Sequence, residues 1–296
     1  RRYALPAKAA ALRWNPAVVE GLRDRSAAKS RWELSGGKQF WRSDGDPPTV
    51  PLFCVDKARL KAAHPREPVK QRIAYKFGAG DANRLKVDGV CVLPRVVLPR
   101  ECADLLRFAS KAQFKTTVHL SGEAGMMGRY SFCTERRRPA ILQHVREGLY
   151  ASLISFFPHL GERYGSSLSK LENRCIQAGQ EKPSSIFLAY GAGGVNWSHT
   201  DPYGELFFPF QAMLMLSRPG KDYCGGSFYV KHASSSRVVT VDPKEGDLVL
   251  FAANDQTGIS ELQGGRLKHG IQRVHPPRIN GRCERFAVGL VFNLRK

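Results

Sequence analysis

Three residues, two of them in one short motif and the third far along the chain, carry the chemistry most readily assembled from side-chain type and spacing. His199-Thr200-Asp201 follows a segment expected to be a strand and a glycine-rich turn, and His269 stands just ahead of another β-rich segment. In an extended chain residues i and i+2 point to the same face, so the His199 imidazole and the Asp201 carboxylate can grip one ion side by side. A third ligand from a distant strand completes a facial triad, which leaves open positions on a non-haem Fe(II) for a co-substrate and O2. A His-x-Asp pair alone is a common accident, and a surface turn accounts for it equally well. The motifs further along the chain add weight by their order: Gly225-Gly226 at a hairpin, the run Gly246 to Phe251, His269-Gly270, then Arg285 opening an apolar run. His275, six residues on and beside Pro276, is the competing third ligand.

Other candidate groups support less. Gly191-Ala192-Gly193-Gly194 resembles a phosphate loop only superficially, because no Lys-Ser/Thr follows it and no helix is expected there; a tight turn is the reading. His119, His144, His159 and His232 have no carboxylate or Cys at ligand spacing. Seven scattered cysteines without a C-x-x-C pair read as reduced thiols, most of them serving as small buried apolar groups. Arg136-Arg137-Arg138 is ordinarily a solvated helix start. With Arg129, Lys111 and Lys115 nearby and Tyr130 and Phe132 interleaved, it can also line a nucleic-acid groove, where cations meet phosphates and aromatic faces stack on exposed bases.

The elements that must position these groups divide the chain. Residues 1–86 form a basic, partly irregular N-terminal extension, with Pro47-Pro48 and short apolar runs around Trp14, Trp32 and Trp41. Residues 87–296 form the main domain, with helical support over 87–184 and a β-rich core over 185–296. Gly89 to Leu93 reads as a strand. Helices follow at Pro99 (buried face Cys102, Leu105, Leu106, Ala109), after Pro139 (Leu142, Val145, Leu149, Leu153), and around Leu168, Leu171 and Cys175. Strands are expected at Ile186–Tyr190, Ala212–Leu216, Ser227–Val230, Arg237–Val241, Leu248–Phe251 and Phe286–Asn293. Helices first and strands after them give an α+β fold, a sandwich or barrel buttressed by helices, without the βαβ alternation of a Rossmann sheet.

Composition bounds the partners. The chain has 296 residues, 46 Lys+Arg against 26 Asp+Glu, and a formal net charge of +20, which favours a polyanion. Residues 1–80 hold 17 Lys+Arg and 7 Asp+Glu, about half of that excess. A hydrophobic fraction of 42% suffices for a packed core. No window approaches a membrane span, and the start has neither an initiator Met nor an apolar leader, so the sequence reads as a processed or excised piece of a soluble protein. The expected address is intracellular, nuclear in a eukaryote and otherwise cytoplasmic, and the expected state is a monomer.

The ordered set Tyr190, Gly191, Asn196, His199, Asp201, Tyr203, Gly204, Glu205, Pro209, Gln211, Gly225 and Gly226 resembles the Fe(II)- and 2-oxoglutarate-dependent oxygenases, closest to the bacterial subfamily acting on damaged, alkylated nucleic acid. His269-Gly270-Ile271-Gln272, and a tyrosine nine residues before the first His, are similar to AlkB-type DNA and RNA demethylases. The resemblance covers residues 87–296 and implies a double-stranded β-helix (jelly-roll, cupin-like) core buttressed by N-terminal helices. It implies iron on His199, Asp201 and His269, with Arg285 pairing with the distal carboxylate of 2-oxoglutarate and Tyr190 hydrogen-bonding the same molecule. Thr200 stands where Gln is commoner, and Pro276 to Arg282 form a longer basic loop whose Arg278 and Arg282 compete with Arg285 for that role. The activity implied couples O2-dependent decarboxylation of 2-oxoglutarate to hydroxylation or oxidative demethylation of a modified base in DNA or RNA, a DNA-repair type of function. Three alternatives remain: a TET-like 5-methylcytosine-modifying enzyme using ascorbate, a hydroxylase of a small molecule or protein side chain, and a non-catalytic basic nucleic-acid-binding module.

Overall fold

The computed structural model describes residues 30–35, 38–43, 76–118, 126–133, 139–201, 204–232, 237–253, 257–258, 267–277 and 283–296. Within the basic extension, β1 (Ser30–Ser35) and β2 (Lys38–Ser43) pair antiparallel, with Trp32 and Trp41 as Cα partners. Trp14 and Pro47-Pro48 lie outside the described residues.

The main domain opens with α1 (Ala79–Asp88), ahead of the strand at which the sequence placed its start. The Asp81 carboxylate accepts from the Gly78 N–H, and the helix stops at Gly89 in a left-handed conformation. After β3 (Val90–Leu93), α2 (Pro99–Ala109) begins with proline in its first turn and with Glu101 accepting from the Leu98 N–H at 2.7 Å. Its stripe of Cys102, Leu105, Leu106 and Ala109 is buried as the periodicity predicts. α3 (Ala140–Phe156), α4 (Pro158–Tyr164) and α5 (Leu168–Gln177) complete the helical layer, and Leu142, Val145, Leu149, Leu153, Leu168, Leu171 and Cys175 all face inward. Arg146 on α3 is buried, yet it donates to the carbonyls of Val291 and Phe292 and pairs with Glu172. It thereby ties two helices to the C-terminal end of the sheet.

The remaining strands are β4 (Lys115–Val118), β5 (Met126–Phe132), β6 (Ile186–Tyr190), β7 (Val195–His199), β8 (Phe210–Met215), β9 (Cys224–Gly225), β10 (Phe228–His232), β11 (Val238–Val241), β12 (Leu248–Ala252), β13 (Leu267–Ile271), β14 (Val274–His275) and β15 (Arg285–Val291). β9 and β14 pair separately; with β3, the rest form one continuous antiparallel path that divides into a major sheet in the order β5-β6-β15-β8-β12-β3, with β4 paired to β5, and a minor sheet in the order β7-β13-β10-β11. The two join where Met126 and Met127 of β5 pair with Asn196 and Val195 of β7. From β6 onward the chain passes back and forth between the two sheets, except at the β10–β11 hairpin within the minor sheet, which is the winding of a double-stranded β-helix. In the support region over 87–184, β3 is the strand expected at Gly89 to Leu93, but β4 and β5 are two further sheet strands that the sequence pattern does not predict. Gly128 and the charged Arg129 interrupt the apolar alternation of β5, which hides it from a periodicity reading.

Alternation along the major sheet separates two faces. Phe187 and Phe286 pack with Phe108 of α2 and with Phe114 on the helix side. Phe208, Phe210 and Phe292 do the same with Tyr150, Tyr164 and Phe157. Tyr190, Arg285 and Met213 are left to face the interior between the sheets. Among the described residues no helix is long and apolar enough to cross a membrane.

Candidate active site

The metal-type cluster is built by two neighbouring strands of the minor sheet. His199 ends β7 and is the direct Cα partner of His269 on β13, so both imidazoles leave the same face of one ladder. Their ring centres lie 4.4 Å apart. Asp201, two residues beyond His199, reaches both: Oδ1 is 3.3 Å from His199 Nε2, and Oδ2 is 3.4 Å from His269 Nε2. One ligand atom from each of the three lies within 4.8 Å of the others, the one such His/Cys/Asp/Glu group among the described residues. His275, the competing ligand, sits on β14 opposite Cys224, outside this cluster.

The electrostatics suit a cation. Burial raises the cost of the Asp201 charge, but hydrogen bonds to His199 and His269 outweigh it and hold the carboxyl far below its usual range. His199 is pulled down by burial and pushed up further by its bond to Asp201, for a net rise, whereas burial and the neighbouring His199 charge lower His269. His199 Nδ1 is anchored 2.8 Å from the Trp197 carbonyl, which leaves Nε2 for a ligand. Phe251 and Phe228 pack beside the His269 ring at 4.6 and 6.0 Å, forming a dry wall.

Facing this cluster from the major sheet, Arg285 is completely buried at the start of β15. Its Nε donates to the Gly226 carbonyl at 2.8 Å, Nη2 meets Met213 Sδ at 3.6 Å, and Nη1 has no partner among the described residues. The guanidinium carbon lies 5.8 Å from the Tyr190 ring and 5.9 Å from the Tyr223 ring. A buried cation with one fork arm unanswered fits a carboxylate. Gly226 is in the left-handed region at φ 67°, and a Cβ there would come within 2.8 Å of Arg285 Cδ, so the Gly225-Gly226 pair shapes the arginine's seat. Tyr190 is buried at the end of β6; Asn196 donates to its hydroxyl at 3.4 Å, and burial pushes its pKa up to about 12.

The structure thus brings together His199, Asp201, His269, Arg285 and Tyr190. Arg129 lies elsewhere: it is on the outer, helix-side face of β5, where it pairs with Glu284. Arg136, Arg137, Arg138, Arg278, Arg282 and Tyr203 lie outside the described residues. Sequence reasoning missed the lining supplied by Met213, Tyr223, Phe228 and Phe251; only the glycine pair signalled any part of it.

A double-stranded β-helix carrying a His-x-Asp…His cluster opposite a buried arginine has the donor set of a non-haem Fe(II) oxygenase, with a cation placed to take a carboxylate co-substrate. Residues 128–293 match the Oxygenase-NA family, described as oxygenases catalysing oxidative methylation of damaged DNA, and the chain belongs to that family. An uncharacterized protein of Mycobacterium tuberculosis (strain CDC 1551 / Oshkosh) is 28% identical over 187 residues, 56% of this chain and 77% of its own. Among solved structures, a Pseudomonas putida prolyl-4-hydroxylase is 15% identical, with a TM-score of 0.44, over 74% of this chain and 98% of its own. An oxidoreductase of the 2OG-Fe(II) oxygenase family from Burkholderia pseudomallei is 14% identical, with a TM-score of 0.45, over 76% of this chain and 93% of its own.

Proposed function

We propose that this dioxygenase hydroxylates or oxidatively demethylates a modified base in DNA or RNA, with His199, Asp201 and His269 holding the iron and Arg285 and Tyr190 the 2-oxoglutarate. The observation that carries the site assignment is the convergence of three ligand atoms within 4.8 Å, facing a completely buried arginine. When bound, the iron and 2-oxoglutarate supply the O2-dependent oxidation of a C–H bond. The protein's own groups do the rest. Asp201 reaches the Nε2 atoms of both imidazoles, Arg285 would orient a distal carboxylate, and Phe228 and Phe251 pack beside His269 to keep water from it. Because the arginine's open arm calls for a carboxylate, the site favours 2-oxoglutarate over ascorbate as co-substrate.

The substrate class rests on the net charge of +20 and on the family's described action on damaged DNA. A base is reached on single strands or by flipping, since its reacting atoms are closed off inside a duplex. The test is turnover of 2-oxoglutarate to succinate in the presence of methylated DNA, RNA and free nucleosides, with mass analysis of the products. Succinate release stimulated by a methylated polymer, with loss of the methyl group or gain of oxygen, is expected. Stimulation by small molecules or peptides alone would overturn the substrate assignment.

A further inference from the structure

Gln211 stands in the barrel interior with a buried amide that the structure leaves unanswered. Phe210 packs against Phe157 and Phe208 on the helix side of β8, so Gln211, Met213 and Met215 take the opposite face. Met213 confirms that orientation by touching Arg285. Gln211 is 4% exposed, and its Nε2 has no acceptor among the described residues. Its ladder partners are Phe251 on β12 and Val291 on β15, which with Met213 offer no strong acceptor. Phe251 is also the ring that packs 4.6 Å from His269. An amide donor stripped of water and left unpaired costs the fold its desolvation penalty, so its presence here calls for a ligand.

We propose that Gln211 binds the co-substrate, its side-chain amide donating to the oxygens at the metal end of the 2-oxo dicarboxylic acid. This rests on the iron and 2-oxoglutarate reading of the site. The wall presents Arg285's open Nη1, then Met213, then the Gln211 donor: polar, apolar, polar. A dicarboxylate with a methylene middle therefore matches the wall in the order of its polar and apolar groups. Its distal end lies on Arg285, its methylenes on Met213, and its oxo-acid end beside Gln211 and the His269 side of the cluster.

The experiment titrates 2-oxoglutarate into the full-length, Fe(II)-loaded protein under anaerobic conditions, following the visible charge-transfer absorbance of the iron–oxo-acid chelate. Gln211→Met keeps the shape and removes the donor; Gln211→Glu replaces it with a charge that repels the ligand. The expected result is a Kd about tenfold higher for Gln211→Met and higher still for Gln211→Glu, with Fe(II) affinity within about twofold of wild type. The metal-free Gln211→Met protein should melt no lower than wild type, because an unpaired buried donor has been removed. An unchanged 2-oxoglutarate Kd in both variants overturns the proposal, and a lowered melting point with unchanged Kd assigns Gln211 a structural role instead. If wild type itself gives no chelate absorbance, the iron and 2-oxoglutarate reading fails first, which is a different outcome.

Discussion

Arg285 and Tyr190 are direct partners across the β15–β6 ladder, with the guanidinium carbon 5.8 Å from the centre of the tyrosine ring. This one pairing places a cation and a phenol on the same interior face. It also explains Gly128 on the next strand, where a Cβ would come within 2.8 Å of the Tyr190 ring. Substituting Gly128 would displace the buried tyrosine rather than a flexible surface chain.

The pairing makes Arg285 the residue whose loss separates co-substrate binding from metal binding. Arg285→Ala is expected to weaken 2-oxoglutarate by about 1.5–3 kcal/mol, the range of a hydrogen bond to a charged group. Iron affinity should barely change, since Arg285 touches none of the three ligands in the described contacts. Arg285→Lys should recover only part of the loss, because a point charge cannot reproduce the planar fork. Isothermal titration of 2-oxoglutarate into the metal-loaded variants measures this. A normal affinity in Arg285→Ala would return the role to Arg278 or Arg282.

Removing a ligand is expected to act on the metal itself. His199→Ala, Asp201→Ala and His269→Ala should each lower Fe(II) affinity by at least an order of magnitude and abolish turnover, because each leaves an incomplete donor set. His275→Ala should leave both unchanged, since His275 lies on the β14–β9 pair and outside the cluster. Equilibrium dialysis against Fe(II), or against Mn(II) to avoid oxidation, provides the measurement. Loss of metal binding in His275→Ala with retention in His269→Ala would reverse the assignment.

Much of this site was legible because it follows from local spacing and strand alternation. His-x-Asp at the end of a strand, and an arginine at the head of the last one, are one-dimensional signals. Hidden from the sequence were the groups brought in by ladder register: Met213 against Arg285, Phe251 against His269, and Gly128 under Tyr190. Register depends on which strands become neighbours, and β15 lies between β6 and β8, far from both in sequence. The helices were legible for the opposite reason, since the stripes on α2, α3 and α5 are each local to a few turns.

Buried acids give the protein an alkaline limit. Burial, assisted by Asp81, lifts the Cys91 thiol from 9.0 to about 12, and burial also lifts Tyr190 from 10.0 to about 12. Each raised group binds its proton more tightly folded than unfolded. Its contribution to stability is therefore complete below the unfolded value and is lost as pH rises toward the folded one. These two groups should accordingly add no pH dependence below about pH 9 and make stability fall between pH 9 and 12. Cys91→Val, which removes one of these protons, should show a shallower fall. Denaturant midpoints measured across this window would contradict the argument if the two proteins ran parallel.

The two basic features of the chain are expected to behave differently toward nucleic acid. Arg129 lies on the helix-side face of β5 and is engaged with Glu284, both of them largely shielded from solvent. Arg129→Gln should therefore cost stability, about 1–3 kcal/mol from the loss of the shielded Arg129–Glu284 ion pair, and leave the salt dependence of binding unaltered. The extension is the opposite case. Residues 1–80 carry 17 Lys+Arg against 7 Asp+Glu, and deletion of residues 1–75 removes nearly all of that excess while sparing the described start of the domain at Lys76. For every phosphate the protein ceases to neutralise, the slope of log K against log salt flattens by about 0.9 on duplex DNA and by about 0.7 on a single strand. The truncated protein should thus bind a methylated oligonucleotide more weakly at low salt and with a flatter slope, while substrate-independent decarboxylation of 2-oxoglutarate continues. Fluorescence anisotropy over a salt series, on wild type, Arg129→Gln and the truncation, reads all three slopes at once. A truncation that keeps the wild-type slope would make the extension a solvated appendage and move the polyanion contacts onto the domain itself.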